Sequence, residues 1–250
     1  MGPALDKNTR GKESSDPRTV KVANFFDQPA HYFHRDFKVT VRAAIVRELI
    51  QNSEGLSIFD VGCGDGSLSL QFQDQASNIT LVDLSETMLR RAQRNILPHC
   101  ANKVTLIKGD FVKLTEGSPA DVVLCVGVLS HVERVSTAIR QLAALTKSGG
   151  RCLIQITDYD RLSGRLQYLT SRARKCNGYT LHVTRFRDVR EIASNEGLRF
   201  VQRRNHGLIL PGMGSLPNRW LLNFDRFVLG SSTLSRLAPS AVLLFEKRRS

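Results

Sequence analysis

Long apolar runs are missing from this sequence. The longest, Val122–Leu129, is eight residues, well short of the roughly twenty that cross a bilayer as a helix. Met1 to Val20 mixes Lys, Asp, Ser and Gly with no apolar stretch. It is therefore not expected to be a secretory signal, and the chain reads as cytoplasmic. Cysteine is sparse. Cys63, Cys100, Cys125, Cys152 and Cys176 are an odd set with no C-x-x-C pair, which argues for reduced thiols rather than a disulfide framework, and no metal is expected. Acids are scarce toward the C-terminus. Residues 1–150 carry 18 basic and 16 acidic side chains, a net of +2, whereas residues 151–250 carry 18 and 7, a net of +11.

What is present suffices for a folded domain. The chain has 250 residues, 41% of them hydrophobic, so a wholly disordered basic tail is excluded. Sixteen of the eighteen basic residues after position 150 are Arg, whose planar donors suit carboxylate and phosphate. This excess is either a solvated surface or a clue to an acidic substrate, carrier, membrane surface or nucleic acid.

Residues 1–19 read as a flexible tail, followed by one domain over 20–250 with an N-terminal lid at 20–51. Lys38–Gln51 reads as a helix, because Phe37, Val41, Ile45 and Leu49 repeat on one face. Strands are expected at Ser57–Val61, Ile79–Asp83, Lys103–Lys108, Asp121–Val126, Arg151–Thr157, Leu198–Arg203 and Ala241–Glu246. Helices are expected at Ser67–Asp74, Ser85–Leu97 with Ser85 as N-cap, His131–Lys147, Arg185–Glu196 and near Asn218–Val228. Strands separated by helical segments argue a doubly wound α/β fold with a mostly parallel sheet covered on both faces. The stretches 158–184 and 206–237 are too long for plain connections and read as insertions that carry function.

The first strand runs into Asp60-Val61-Gly62-Cys63-Gly64-Asp65-Gly66. A glycine turn between strand and helix lets a ligand approach the backbone. Asp83 ends the next strand, 19 residues after Gly64, where an acid accepts hydrogen bonds from ribose hydroxyls. The nucleoside half of a cofactor follows from these features. The spacing is not the G-x-G-x-x-G of dinucleotide sites, and no P-loop Lys-Ser/Thr pair is present. The acid at Asp60 disfavours a diphosphate and suits a cationic, zwitterionic cofactor.

These residues resemble the class I S-adenosylmethionine-dependent methyltransferases, most like the small-molecule branch, over roughly 20–205. Asp60-x-Gly62-x-Gly64-x-Gly66, with Cys63 inside it, looks like the family's first motif, and Asp83 matches its ribose acid. Leu84 and Met88 match positions that pack on the adenine. Gly109-Asp110-Phe111 follows the third strand, with Asp110 at the position that meets the adenine amino group. Asp121 to Val132, including Val126, resembles the fourth strand and its loop. The resemblance implies a Rossmann-like seven-stranded sheet with a last antiparallel strand, S-adenosyl-L-methionine as cofactor and cap insertions over the substrate.

Methyl transfer needs alignment of nucleophile, methyl and sulfur, and a base where the acceptor is protonated. His131, just past the fourth strand, is the first candidate base; Asp158 and Tyr159, after the fifth, are expected to face the same crevice. Phe25, Phe26, His31, Tyr32, Phe33 and His34 resemble the family's lid, with Tyr32 nearest the cofactor. Arg161, Arg165, Arg172, Arg174 and Lys175 are expected to meet an acidic substrate or acidic carrier. The leading reading is methylation of an oxygen or nitrogen of a small metabolite. Three others stand beside it: a lipid or quinone methyltransferase on an anionic membrane, nucleic-acid methylation, and a non-catalytic cofactor-binding protein. Nucleic acid is disfavoured, since no Asn/Asp-Pro-Pro-aromatic loop follows the fourth strand and no RNA-binding module is recognisable.

Overall fold

The computed structural model describes residues 17–27, 36–115, 117–173, 182, 184–208, 217–231 and 233–249. In chain order the elements are α1 (Pro17–Asp27), α2 (Asp36–Ile50), β1 (Ser57–Val61), β2 (Asn78–Asp83), α3 (Glu86–Asn95), β3 (Val104–Lys108), β4 (Ala120–Cys125), α4 (Val135–Leu145), β5 (Thr146–Thr157), α5 (Leu162–Ala173), α6 (Phe186–Asn195), β6 (Leu198–His206), α7 (Asn218–Gly230) and β7 (Ser240–Lys247). The strands form one seven-stranded sheet ordered β3-β2-β1-β4-β5-β7-β6. β1 to β5 pair in parallel, while β7 runs antiparallel to both β5 and β6. The doubly wound α/β fold read from the sequence is the fold of the protein.

Alternation along the strands divides the core in two. Ile58, Leu81, Leu124, Leu153 and Val242 pack under α2 through Val41, Ile45, Val46 and Leu49. Phe59, Val61, Val123, Ile154 and Leu243 pack under α4 and α6 through Ile139, Leu142, Val189 and Ala193. With helices on both faces, the central strands are largely buried; β1 is buried at every position, Asp60 included. α3 forms as its sequence dictates: Ser85 caps it by accepting from Met88 N at 3.1 Å. Glu86 sits in the first turn, Arg94 in the last, and Met88, Leu89 and Ala92 share its buried face.

Several boundaries differ from expectation. Ser67–Asp74 is not a helix but a set of turns with one 3-10 turn, Leu70–Phe72. Its side chains serve opposite needs: Leu70 and Phe72 are both buried, and Ser69 turns inward to donate to Asp60 Oδ2 at 2.7 Å. The helix expected from His131 begins only at Val135, because the carbonyls of His131 and Ser130 accept from Arg18 at 3.1 and 3.4 Å. The fifth strand, expected from Arg151, begins earlier at Thr146 and takes in Ser148-Gly149-Gly150. A Cβ on Gly150 would lie 2.9 Å from the Lys147 carbonyl and 3.0 Å from that of Asp121. α1 starts at Pro17, so residues 17–19 of the stretch expected as a tail are helical.

Candidate functional site

Sheet order reverses between β1 and β4, and the loops leaving their carboxyl ends part there, opening a crevice. A cavity of about 280 Å³ fills it. Its first wall is the turn after β1, where Gly62, Gly64 and Gly66 take φ of +63°, +59° and +77°. That left-handed backbone strains any side chain, and a Cβ on Gly62 would come within 2.3 Å of Val128. Cys63, in the same wall, is a buried thiol pushed well up by burial and by the acids around it.

The second wall is Asp83, Leu84 and Met88. Asp83 ties the loops together: Oδ2 accepts from Gly64 N and Oδ1 from Ser85 N, each at 2.8 Å. Desolvation raises its pKa from 3.8 to about 6 despite those bonds. Gly109, Asp110 and Phe111 form the third wall. Asp110 accepts from Val112 N at 3.1 Å, capping the short turn that carries Phe111. Val126 and Gly127, leaving β4, form the fourth.

The cavity is roofed by α1 through Thr19, Val22, Ala23 and Phe26. Both ends of this helix are tied. Arg18 bonds the carbonyls after β4, and Asp27 accepts from Ser85 Oγ at 2.5 Å. Phe26 meets the His131 ring edge-on, with centroids 5.4 Å apart, so His131 lines the cavity in a fixed ring orientation.

Arg42 and Gln155 are among the lining residues that were not anticipated. Arg42 of α2 places Nη1 3.1 Å from where a Gly127 Cβ would sit, with Gln155 Oε1 3.7 Å from the same point. Gln155 is buried, and its Oε1 has no hydrogen-bond partner among the described residues. Both left a trace in the sequence: Arg42 shares a helix face with Val46 and Leu49, and Gln155 interrupts the apolar run of β5.

Other expected residues do not reach the cavity. Asp60 lies behind the glycine turn, paired with Ser69; burial raises its pKa to about 7, with Asp83 and Asp65 adding to the rise. Asp158 does not face the crevice. It is buried in an ion pair with Arg203 at 2.8 Å and a looser one with Arg161 at 3.6 Å, and it accepts from Phe186 N. Tyr159 lies beneath Arg165 and Arg185, 5.6 and 6.0 Å from the ring centroid, outside the cavity lining. Asp158 therefore pins the insertion to β6 instead of meeting a ligand. Arg161 also spends its guanidinium on backbone carbonyls of Ser235 and Ala238. Tyr32, His31, Phe33, His34, Arg174 and Lys175 lie outside the described residues, as does the side chain of Arg172. Away from the cavity, Asp74, His99 and Cys100 bring three donor atoms within 4.8 Å of one another. They satisfy themselves: His99 Nε2 meets Asp74 Oδ1 at 2.7 Å, and the Cys100 thiol donates to the Gln73 carbonyl.

A family model described as a methyltransferase domain matches residues 58–150. The ubiquinone biosynthesis O-methyltransferase of Nitrosomonas europaea is 32% identical over 135 residues, 50% of this chain and 57% of that one. Its namesake in Dechloromonas aromatica is 36% identical over 102 residues, 40% of this chain and 44% of that one. The chain thus spans about half the length of these curated relatives. Among solved structures, magnesium protoporphyrin IX methyltransferase from Synechocystis PCC 6803 with bound SAH superposes with a TM-score of 0.66 at 19% identity, covering 93% of this chain and 100% of that one. N-methyltransferase NodS from Bradyrhizobium japonicum gives 0.63 at 15%, covering 93% and 99%; at such identities the likeness is one of fold. The glycine turn and Asp83 fall inside the matched segment, on the sheet that those structures share, so residues 58–150 are similar to a methyltransferase domain.

Proposed function

We propose that the cavity binds S-adenosyl-L-methionine and that the protein methylates an oxygen, or failing that a nitrogen, of a small molecule. One observation carries the reading: the Asp83 carboxylate bridges Gly64 N and Ser85 N at 2.8 Å each, at the cavity edge, between an apolar slot and a cation. The slot, from Leu84, Met88 and Phe111, suits an adenine. Asp83 suits the ribose diol. Arg42 at the far end suits the cofactor carboxylate, and Gly62, Gly64 and Val126 offer backbone to the methionine chain between them. Oxygen as the acceptor is favoured by the names of the curated relatives.

When bound, S-adenosylmethionine supplies a methyl group on a sulfonium, so the protein has little covalent chemistry of its own to perform. Its residues bind, orient and exclude water. α1 closes the cavity from above, held by Arg18 and Asp27. The His131 imidazole, braced by Phe26, takes the proton of the acceptor hydroxyl as methyl transfer proceeds. Gln155 Oε1 accepts a hydrogen bond from a donor group of the substrate and fixes its approach. Residues 20–250 act as one unit, with the insertions 158–184 and 206–237 on the substrate side. The test is incubation of the purified protein with labelled cofactor and a cell extract, then mass identification of the product. A methylated small molecule bearing the label at oxygen or nitrogen supports the reading; label in nucleic acid, or no transfer despite cofactor binding, overturns it.

A further inference from the structure

Six of the nine large apolar side chains most exposed among the described residues lie on α5, on α7 and on the short turn that follows α7. Leu162, Leu166 and Leu169 stand at i, i+4 and i+7 of α5, one face of the helix, and are 75%, 57% and 58% exposed. Trp220 and Phe227 stand at i and i+7 of α7, 60% and 66% exposed. Leu237 is exposed in the 3-10 turn Leu234–Leu237 that follows α7. Arg161 ties the start of α5 to this turn by donating to the Ser235 and Ala238 carbonyls, each at 3.2 Å. The start of α5 and this turn adjoin the point where Thr157 of β5 pairs with Ser240 of β7, at the same end of the sheet as the cavity, and α7 packs against the turn.

The exposed charge on the two helices has one sign, and the exposed Asp160 just before α5 is paired with Arg185 and Arg187. On α7 the exposed Arg219 and Arg226 repeat at i and i+7, each next to an exposed aromatic, while its one acid, Asp225, is buried. On α5 the exposed Arg165 adjoins the leucines, and the helix has no acid. Aliphatic and aromatic side chains flanked by Arg, with no exposed acid on either helix, match a surface of apolar depth under negative headgroups. Phosphate backbones would meet the Arg residues but gain nothing from the leucines. A second copy docking through the same face would set arginine against arginine.

From this combination we infer that the α5–α7 face docks on an anionic lipid bilayer, lying in its interface without crossing it. Among the described residues no helix is long and apolar enough to span. The inference stands apart from the methyl-transfer reading, and it would bring the cavity to acceptors dissolved in the bilayer.

The chain has a single tryptophan, Trp220, so its fluorescence reports on this face directly. Full-length protein is mixed with phosphatidylglycerol/phosphatidylcholine vesicles and, separately, with phosphatidylcholine alone. The expected result is a shift of Trp220 emission to shorter wavelength and co-sedimentation, both only with phosphatidylglycerol. The triple substitution L162S/L166S/L169S, at exposed positions, should abolish co-sedimentation. R219Q/R226Q should weaken it roughly thirtyfold, at about fivefold per arginine. Unshifted emission with protein left in the supernatant overturns the inference. So does partitioning that the serine variant retains, or a lipid-free dimer that this variant dissolves. S-adenosylhomocysteine calorimetry on the same preparations reads the cofactor site separately, so failure of one proposal is visible without the other.

Discussion

Replacing Asp83 by Asn tests the cofactor site most directly. Both carboxylate oxygens already accept backbone N–H bonds, from Gly64 and Ser85 at 2.8 Å. A ribose diol would add two charge-assisted bonds, each stronger by about 1–2 kcal/mol than its neutral counterpart. The amide keeps shape but loses charge and turns an NH2 toward one of the backbone donors. Asp83→Asn should therefore weaken S-adenosylhomocysteine binding by about 3 kcal/mol, roughly a hundredfold. Wild-type binding should also depend on pH, with a definite sign. Desolvation lifts Asp83 from 3.8 to about 6; above that pH the ionised acceptor is present, and it is lost as pH falls through 6. Affinity at pH 5 should be about tenfold lower than at pH 8 from this group alone. Titration calorimetry at both pH values reads this, with circular dichroism confirming the fold. Equal wild-type affinity at pH 5 and pH 8, or an Asp83→Asn variant within threefold of wild type, would refute the reasoning.

Arg42→Gln should weaken S-adenosylhomocysteine by about tenfold or more while leaving adenosine unchanged, since only the former carries a carboxylate; equal loss for both ligands would remove Arg42 from that role. His131→Asn should lower turnover by about 10²–10⁴ with S-adenosylhomocysteine affinity intact; unchanged turnover would exclude a base at this position. Asp60→Asn should stabilise the protein at pH 8. Burial lifts Asp60 from 3.8 to about 7, so the folded state holds its proton longer and this group's contribution falls as pH rises from about 4 to 7. The cost of ionising it at pH 8 is roughly 4 kcal/mol. The melting-temperature gap between variant and wild type should accordingly shrink toward pH 4, and a gap independent of pH would contradict the buried-acid account. Gly62→Ala should cost about 1–3 kcal/mol from its positive φ and its contact with Val128; denaturant unfolding checks this.

The excess of positive charge after position 150 changes meaning once the fold is in view. Arg203, Arg161, Arg199 and Arg204 are held against Asp158, Glu246 and Glu48. Arg151 donates to the Ile50 carbonyl at 2.5 Å. Much of the arginine thus joins strands and insertions to one another. What remains exposed beside apolar side chains is a smaller set, Arg165, Arg219 and Arg226, and the lipid-docking proposal rests on that set.

Local features of the sequence determined the strands, most helices and the heart of the cavity. Alternation and helical repeats are set by neighbours a few residues apart, and a glycine turn with an acid 19 residues on brings Gly64 and Asp83 together at the ends of two adjacent parallel strands. Only the tertiary structure decided which side chains enter that cavity from elsewhere. Arg18 reaches a carbonyl 113 residues away, and Arg42 and Gln155 meet over Gly127 from α2 and β5. Asp158 turns from the crevice to Arg203, 45 residues on. Asp60, one position before the glycine turn's own strand ends, faces the core, because side chains alternate across a sheet covered on both faces. Local periodicity records that such positions are polar; their direction depends on which strand and helix lie alongside, and pairing across the whole sheet sets that.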